Sequence, residues 1–206
     1  MPKKAFDNLS EENRQEMMDK AMQLYVDHPF EDITLKMILD TLSLHPTTFY
    51  RYFENKDELY YTALYRVVQK RGEYLKTHDE SDVLNLFYFE EGTEPLNELE
   101  VQFTKTILSL PDEILLHLYL KSFMNETFLK VKDELRHMRY DSKLRPDVDD
   151  DLISFIFSTV QFNLVLFFRE FGIKDEDLMV KQQKYLRSFF RHGLMTDSRF
   201  SEYERE

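Results

Sequence analysis

A short segment in the first quarter of the chain carries side chains suited to binding nucleic acid. Phe49 and Phe53 are four residues apart, so on a helix they would share one apolar side. The neighbouring positions hold groups that can hydrogen-bond to base edges and phosphate oxygens: His45, Thr47, Thr48, Tyr50, Arg51 and Tyr52. A short helix with an apolar back and a polar front is suited to the major groove of DNA.

The residues before this segment predict a first helix and a tight turn. The Thr34 hydroxyl can cap a helix N-terminus by accepting a hydrogen bond from a backbone N–H. Apolar residues then recur at helical spacing, at Leu35, Ile38, Leu39 and Leu42. Ser43 and Leu44 would form the turn, and Pro46 suits the first position of the next helix, where a missing N–H costs nothing.

A further helix is predicted upstream of this pair. Ser10 can cap it, Glu11 and Glu12 suit its first turn, and His28-Pro29 ends it. Its apolar positions would pack on the two helices that follow: Met18, Ala21, Met22 and Tyr25. Lys3 and Lys4 precede this helix, either as a solvated start or as an arm that contacts phosphates or the minor groove.

The segment that ends this region resembles the DNA-binding domain of TetR-type transcriptional regulators. The family pattern runs Thr-Phe-Tyr-x-Tyr-Phe-x-x-Lys-x-x-Leu, and it is matched by Thr48, Phe49, Tyr50, Tyr52, Phe53, Lys56 and Leu59. Phe30, Thr34 and Ile38 also match the family. The resemblance as a whole covers about residues 9–76. Three positions differ from the family: Ser43 replaces a turn Gly, His45-Pro46-Thr47 replaces Ser-x-Gly, and Pro29 replaces a Gly.

This resemblance implies which side chains face DNA. We expect four of them near base edges: His45, Thr47, Thr48 and Arg51. We expect five of them at phosphates: Thr34, Lys36, Tyr50, Tyr52 and Lys56. Lys56 lies in the first turn of a long helix, where the helix dipole disfavours a cation and a nearby phosphate would reverse that penalty.

The predicted fold is all-α, with an N-terminal three-helix helix-turn-helix domain joined to a larger helical domain. The first domain covers residues 1–76, including a connecting helix over 56–76, and the polar segment 77–81 marks the boundary. The second covers residues 77–206 and would bind an effector and form the dimer. Its helices are predicted at about 82–90, 95–109, 112–140 (one helix or two in line), 148–171 and 175–194.

The helix that contains Leu152–Phe168 is apolar nearly all round, so more than one of its sides must be covered. A partner subunit can cover one side, as in the four-helix dimer interface of TetR-like proteins. The predicted dimer contacts are Phe157, Val160, Leu164, Phe168, Tyr185 and Phe189. The resemblance also implies a mostly apolar effector pocket, for which the candidates are Phe103, Ile107, Tyr119, Phe123, Met124, Phe128, Phe155, Phe162 and Asn163.

Composition excludes several classes of function. The 206 residues contain no Cys, which excludes a disulfide scaffold, a thiolate metal site and a cysteine nucleophile. The four glycines, at 72, 92, 172 and 193, cannot form a glycine-rich phosphate loop. The acids at 147 and 149–151 are interpreted as complementing a helix dipole, and His117 and His137 as surface or core residues. We therefore predict no catalytic residue, no metal and no cofactor.

Charge and hydropathy complete the prediction. The net charge is −12, but residues 1–76 carry 11 Lys/Arg against 13 Asp/Glu, and residues 77–206 carry 16 against 26. DNA docking at the nearly neutral end is compatible with this asymmetry. The N-terminus has no apolar signal region, and no apolar run of membrane-spanning length is present, so we expect a cytoplasmic protein without membrane contact.

The sequence thus predicts a TetR-like repressor that is not an enzyme. Its partners would be a double-stranded DNA operator, a second copy of itself and an unidentified small, mostly apolar effector that releases it from DNA. The main alternative is an adaptor of the same fold that binds proteins and lacks sequence-specific DNA binding. A helical enzyme with an aromatic pocket is the weaker alternative, because no nucleophile or acid–base pair stands out.

Overall fold

All elements in the described part of the computed structural model are helices, as the sequence predicts. The description covers residues 2–77, 95–118, 124–141 and 144–173, with positions 178, 181, 182, 185 and 186. The helices are α1 (Lys4–Asp7), α2 (Glu11–Asp27), α3 (Leu35–Leu42), α4 (Pro46–Tyr52), α5 (Lys56–Thr77), α6 (Glu98–Lys105), α7 (Asp112–Leu118), α8 (Met124–Tyr140) and α9 (Asp150–Glu170), with 3₁₀ turns at Phe30–Asp32 and Thr106–Ser109.

The predicted caps of the first helices are confirmed. Ser10 Oγ accepts from the backbone N–H of Asn13 at 3.3 Å, and Thr34 Oγ1 accepts from that of Met37 at 3.3 Å. Asn55 Oδ1 accepts from the N–H of Glu58 at 2.9 Å at the start of α5. The Glu58 carboxylate accepts from Glu54 N–H at 2.6 Å. These local bonds position α2, α3 and α5 around the turn.

The turn between α3 and α4 requires one unusual backbone conformation. Ser43 has φ 53° and ψ 43°, in the left-handed region, and is the one non-glycine residue with positive φ in the described part of the chain. Its N–H donates to Asp40 O, and the N–H of Leu44 donates to Leu39 O at 3.0 Å. Pro46 then occupies the first turn of α4, as predicted.

Helices α1 to α7 form one compact unit. Its core is aromatic: Phe49, Phe53, Tyr60 and Phe103 are fully buried, and Tyr60 lies 5.0 Å from Phe103 between ring centroids. Burial raises the pKa of the Tyr60 phenol, whose oxygen lies 2.9 Å from Thr106 Oγ1. Helices α6 and α7 therefore pack in the same unit as the helix-turn-helix. The predicted division into a domain of residues 1–76 and a domain of residues 77–206 stays a prediction.

Helix α6 begins later than the sequence pattern suggested. Asn97, rather than Pro95, marks its start, because the Asn97 side chain accepts from Glu100 N–H and the Glu100 carboxylate accepts from Asn97 N–H. Glu100 is 2% exposed, and it also accepts from the Lys70 ammonium at 2.6 Å. This ion pair joins α6 to α5.

Helices α8 and α9 belong to the second compact unit. Val131, Leu135, Leu144 and Phe157 form its buried core. Asp149 caps α9 by accepting from Leu152 N–H at 2.7 Å, so the structure supports interpreting the acids here as helix-terminal groups. Among the described residues, no group of three or more His, Asp or Glu side chains is arranged to hold a metal ion.

Two predicted helices lie largely outside the description. Residues 82–90 are not described, and five helical positions between 178 and 186 are described from the predicted helix 175–194. The predicted helical stretch 112–140 contains α7 and α8, and residues 119–123 between them lie outside the described residues. None of the described helices is long and apolar enough to cross a bilayer.

Candidate nucleic-acid interface

Helix α4 has two opposite faces. Phe49 lies in the helix and Phe53 directly follows it. Both side chains are fully buried and form the apolar back that the sequence predicts. The polar candidates divide by exposure: His45, Thr47, Tyr50 and Arg51 are exposed, Thr48 is half-buried, and Tyr52 is buried. The structure therefore brings four of the six polar side chains to the accessible surface, three on the seven-residue helix α4 and His45 at its N-cap.

His45 is the N-cap of α4. Its Nδ1 accepts from the backbone N–H of Thr47 at 3.4 Å and lies 3.2 Å from the Thr47 hydroxyl oxygen. A neutral imidazole whose Nδ1 accepts must carry its proton on Nε2. The Nε2–H group is then a donor, so His45 matches an acceptor such as a guanine O6, a purine N7 or a phosphate oxygen.

Tyr52 has a different environment from Tyr50. It is 6% exposed, its ring lies 6.2 Å from that of Phe6, and the Arg51 guanidinium lies 5.5 Å from its ring centroid. Tyr50 is 48% exposed. Tyr50 is therefore accessible from solvent and Tyr52 is not, and the phosphate contacts of both tyrosines stay predictions.

Lys56 makes internal contacts that the sequence did not reveal. Its ammonium donates to Phe30 O at 2.9 Å and to Ile33 O at 3.0 Å, and it lies 4.6 Å from the Phe30 ring centroid. Its own carbonyl accepts from the Tyr25 hydroxyl at 2.7 Å. Lys56 thus joins the start of α5 to the chain before α3, while its predicted phosphate contact stays untested.

Several cations of this unit are held by acids. Glu11 forms an ion pair with Arg66 and another with Arg14 at 2.6 Å. The hydrogen bond from Arg66, followed by that from Arg14, lowers the pKa of the Glu11 carboxyl below its usual value. On α3 and α4, by contrast, Lys36 and Arg51 are exposed. Charge-assisted contact with DNA through this face would therefore use few cations and several neutral donors, as the sequence predicts.

The effector-pocket candidates are divided between the two compact units. Phe103 is fully buried against Tyr60 in the first unit, and Ile107 is half-buried. In the second unit, Phe155 is 45% exposed, and the exposed Asn163 donates to its own helix. The remaining candidates lie outside the residues or side chains described: Tyr119, Phe123, Met124, Phe128 and Phe162. The pocket therefore stays a prediction.

The predicted dimer contacts fall into two groups. Phe157 and Phe168 are buried within their own subunit, at 0% and 3% exposure, whereas Tyr185 is 77% exposed. Val160 and Leu164 are half-buried, and Phe189 lies outside the described residues. The predicted contact set leaves out four exposed apolar residues of this helix and its end, of which Phe155 was assigned to the effector pocket instead: Leu152, Phe155, Phe167 and Phe171.

The fold and the exposed polar face of α4 define a DNA-binding protein of the helix-turn-helix class. Residues 17–61 match the sequence model of the family described as bacterial regulatory proteins, tetR family. This part of the chain is therefore a helix-turn-helix DNA-binding domain of the TetR family. No curated protein matches it by sequence.

Solved structures share the fold at low sequence identity. One described as a TetR-family regulator from Syntrophomonas wolfei has a TM-score of 0.62 at 12% identity, covering 88% of this chain and 95% of that one. A TetR regulator from Streptomyces fradiae has a TM-score of 0.57 at 15% identity, covering 94% and 91%. A transcriptional regulator from Saccharomonospora viridis in complex with choline has a TM-score of 0.57 at 17% identity, covering 91% and 100%.

Proposed function

We propose that this protein is a repressor that binds a DNA operator as a homodimer and leaves it when a small, mostly apolar effector binds. The observation that carries the DNA-binding part is the arrangement of α4. Two fully buried aromatic rings, Phe49 and Phe53, hold the helix against the core. The opposite face exposes an imidazole, hydroxyls, a phenol and a guanidinium, which can read base edges and contact phosphates.

Within this face, roles follow from position and chemistry. His45, Thr47 and Arg51 are assigned to base edges, with half-buried Thr48 beside them. His45 acts as a donor through Nε2, because Nδ1 is used in capping α4. The phosphate contacts are assigned to Tyr50 and to the exposed start of α3: Thr34 and Lys36.

The homodimer would form through the apolar side of α9 that its own subunit leaves open. Leu152 is 55% exposed and Phe155 45%, and two further rings, Phe167 and Phe171, are exposed near the end of the helix with centroids 4.7 Å apart. Leaving these groups in water is unfavourable by about 25 cal/mol per Å² of apolar surface. A second copy of the same face would cover them by a two-fold contact.

The effector part of the proposal rests on sequence content. The candidates in the second domain are aromatic or aliphatic with Asn163 as one polar group, which suits a mostly apolar ligand held in orientation by few hydrogen bonds. Such a ligand would release DNA by binding more tightly to the dimer when its two helix-turn-helix domains do not fit the operator than when they do.

Selection from random duplex DNA tests the DNA-binding part. The wild-type protein is expected to enrich one pseudo-palindromic sequence with half-sites about one helical turn apart, roughly 34–36 Å. Enrichment of no sequence would contradict the proposal and favour the adaptor alternative. Addition of small apolar compounds to the selected complex would then identify the effector by release of DNA.

The variant Tyr50→Ala tests the assigned surface. Loss of one hydrogen bond to a charged phosphate should weaken binding about tenfold for each half-site, and therefore about a hundredfold for the dimer on the selected DNA. Tyr140→Ala is the matched control, because Tyr140 is 91% exposed on α8, in the other unit. Equal affinities of the two variants in a mobility-shift titration would show that Tyr50 does not contact DNA.

A further inference from the structure

The C-terminal end of α4 needs partners that the helix itself cannot supply. A helix leaves its last four carbonyl groups without intrahelical donors. Helix α4 has seven residues, Pro46–Tyr52, so these groups are more than half of its carbonyls. Phe53 N–H donates to Phe49 O at 2.8 Å, which satisfies the first of them. An isolated helix of this length is unstable in water, so its remaining contacts decide its position.

Lys3 supplies two of the missing donors from the other end of the domain. Its backbone N–H donates to Tyr52 O at 2.9 Å, and its ammonium donates to Tyr50 O at 2.7 Å. A cation at a helix C-terminus also complements the negative end of the helix dipole. One residue, 47 positions from Tyr50 in sequence, therefore caps the last turn of the recognition helix.

The residues after Lys3 hold it in this position. Phe6 is 2% exposed, and its ring centroid lies 5.0 Å from that of Phe53 and 6.2 Å from that of Tyr52. At the end of α1, the Arg14 guanidinium donates to Asp7 O at 2.5 Å, which joins the segment to α2. The N-terminal segment is thus fixed to α4 by Lys3 and Phe6 and to α2 by Asp7.

We propose that residues 3–7 form an N-terminal clamp that positions the recognition helix for DNA, with Lys3 as its positioning residue. The clamp lies outside residues 17–61, the part that matches the family. This inference rests on the proposed function for its effect on DNA binding. The sequence left two roles open to Lys3, a solvated start or an arm at phosphates or the minor groove. The clamp is a third role, since the Lys3 ammonium donates to Tyr50 O.

The test compares two neighbouring lysines. Lys3→Met removes the ammonium and keeps an unbranched apolar side chain, whereas Lys3→Arg keeps a cationic donor. Lys4→Met is the matched control, because Lys4 is exposed next to Lys3 and carries the same charge. Hydrogen exchange at the amides of residues 50–53 measures the opening of the last turn of α4. Titration of the DNA selected by the wild-type protein, at several salt concentrations, measures binding.

Lys3→Met is expected to speed exchange at these amides by roughly fivefold, which corresponds to one hydrogen bond in each subunit. Binding to the selected DNA should weaken by roughly 25-fold, because both subunits of the dimer lose the bond. Lys3→Arg should restore both, and Lys4→Met should leave the exchange unchanged. The salt dependence of binding by Lys3→Met should equal that of the wild type, since losing one phosphate contact in each subunit of the dimer would reduce the logarithmic slope by about 1.8.

Wild-type exchange rates in Lys3→Met, or a reduced salt slope, would overturn the clamp. Failure of Lys3→Arg to restore slow exchange would overturn it as well. The exchange measurement requires no DNA, so it separates the two proposals. A protein that selects no DNA but shows faster exchange in Lys3→Met would refute the repressor function and leave the clamp as a structural fact.

Discussion

Single side chains in this protein have roles that their chemistry alone leaves open. Lys3, Lys36 and Lys56 are all cations near the helix-turn-helix, and each could contact a phosphate. The structure separates them, because the ammonium groups of Lys3 and Lys56 donate to backbone carbonyls, whereas Lys36 is exposed on α3. The tyrosines divide in the same way, with Tyr50 exposed and Tyr52 buried.

The contacts of Lys56 predict a loss of stability on its replacement. Lys56→Met should lower the free energy of unfolding by about 1–2 kcal/mol, because the carbonyls of Phe30 and Ile33 lose a charged donor. Urea titration followed by circular dichroism measures the effect. Lys36→Met is the control, since it removes the same charge from an exposed site and should change stability by less than about 0.5 kcal/mol. Equal effects of the two substitutions would show that these bonds do not stabilise the unit.

At the scale of elements, the turn between α3 and α4 sets the orientation of the recognition helix. The left-handed conformation of Ser43 makes the turn, and the N–H of Leu44 bonds back to Leu39. The sequence shows Ser where the family usually has Gly, and Ser43 adopts the left-handed conformation that glycine tolerates best. Strain is therefore located at a defined residue beside the proposed DNA surface.

Relief of this strain should stabilise the protein. Ser43→Gly is expected to raise the free energy of unfolding by roughly 0.5–1 kcal/mol, since the left-handed region costs an L-residue about 1–2 kcal/mol. The greater freedom of glycine in the unfolded chain offsets part of that gain. Thermal unfolding measures the change. Asp40→Gly, at an exposed right-handed position within α3, should lower stability instead, and a gain in both variants would refute the strain argument.

At the scale of the whole molecule, charge and apolar surface are distributed unevenly. The chain has a net charge of −12, yet residues 1–76 carry 11 Lys/Arg against 13 Asp/Glu. The acidic excess lies in the remainder, where it disfavours contact with DNA and leaves the N-terminal region as the docking end. Exposed aromatic rings occur on α9, in the unit that does not contain the recognition helix.

The exposed face of α9 predicts the assembly state. Sedimentation at micromolar concentration should give a mass near twice the chain mass of 25.1 kDa. Phe155→Glu places a charge in the proposed interface, and its desolvation should shift the protein to monomers. Leu129→Glu is the control, because Leu129 is 63% exposed on α8, outside that face. A monomeric wild-type protein, or dissociation by Leu129→Glu alone, would contradict this interface.

The helix-turn-helix was predictable because its determinants are local. A cap bonds to an N–H three residues away, as at Ser10 and Thr34, and a buried face repeats every three to four residues, as at Phe49 and Phe53. Such interactions can be identified in a short window of sequence, and they were enough to predict the all-α class and four of the exposed polar residues on α4.

The sequence by itself therefore determined the helical class, the caps at Ser10, Thr34 and Asn55, and the likeness of residues 17–61 to the TetR family. Only the tertiary structure decided which long side chains turn inward. Lys3 reaches Tyr50, Lys56 reaches Phe30, and Lys70 pairs with Glu100, each across at least 26 positions. A flexible lysine can bond to any acceptor within reach, and which acceptor is nearest depends on how distant segments pack. The same packing buried Phe157 inside its own subunit and left Phe155 exposed.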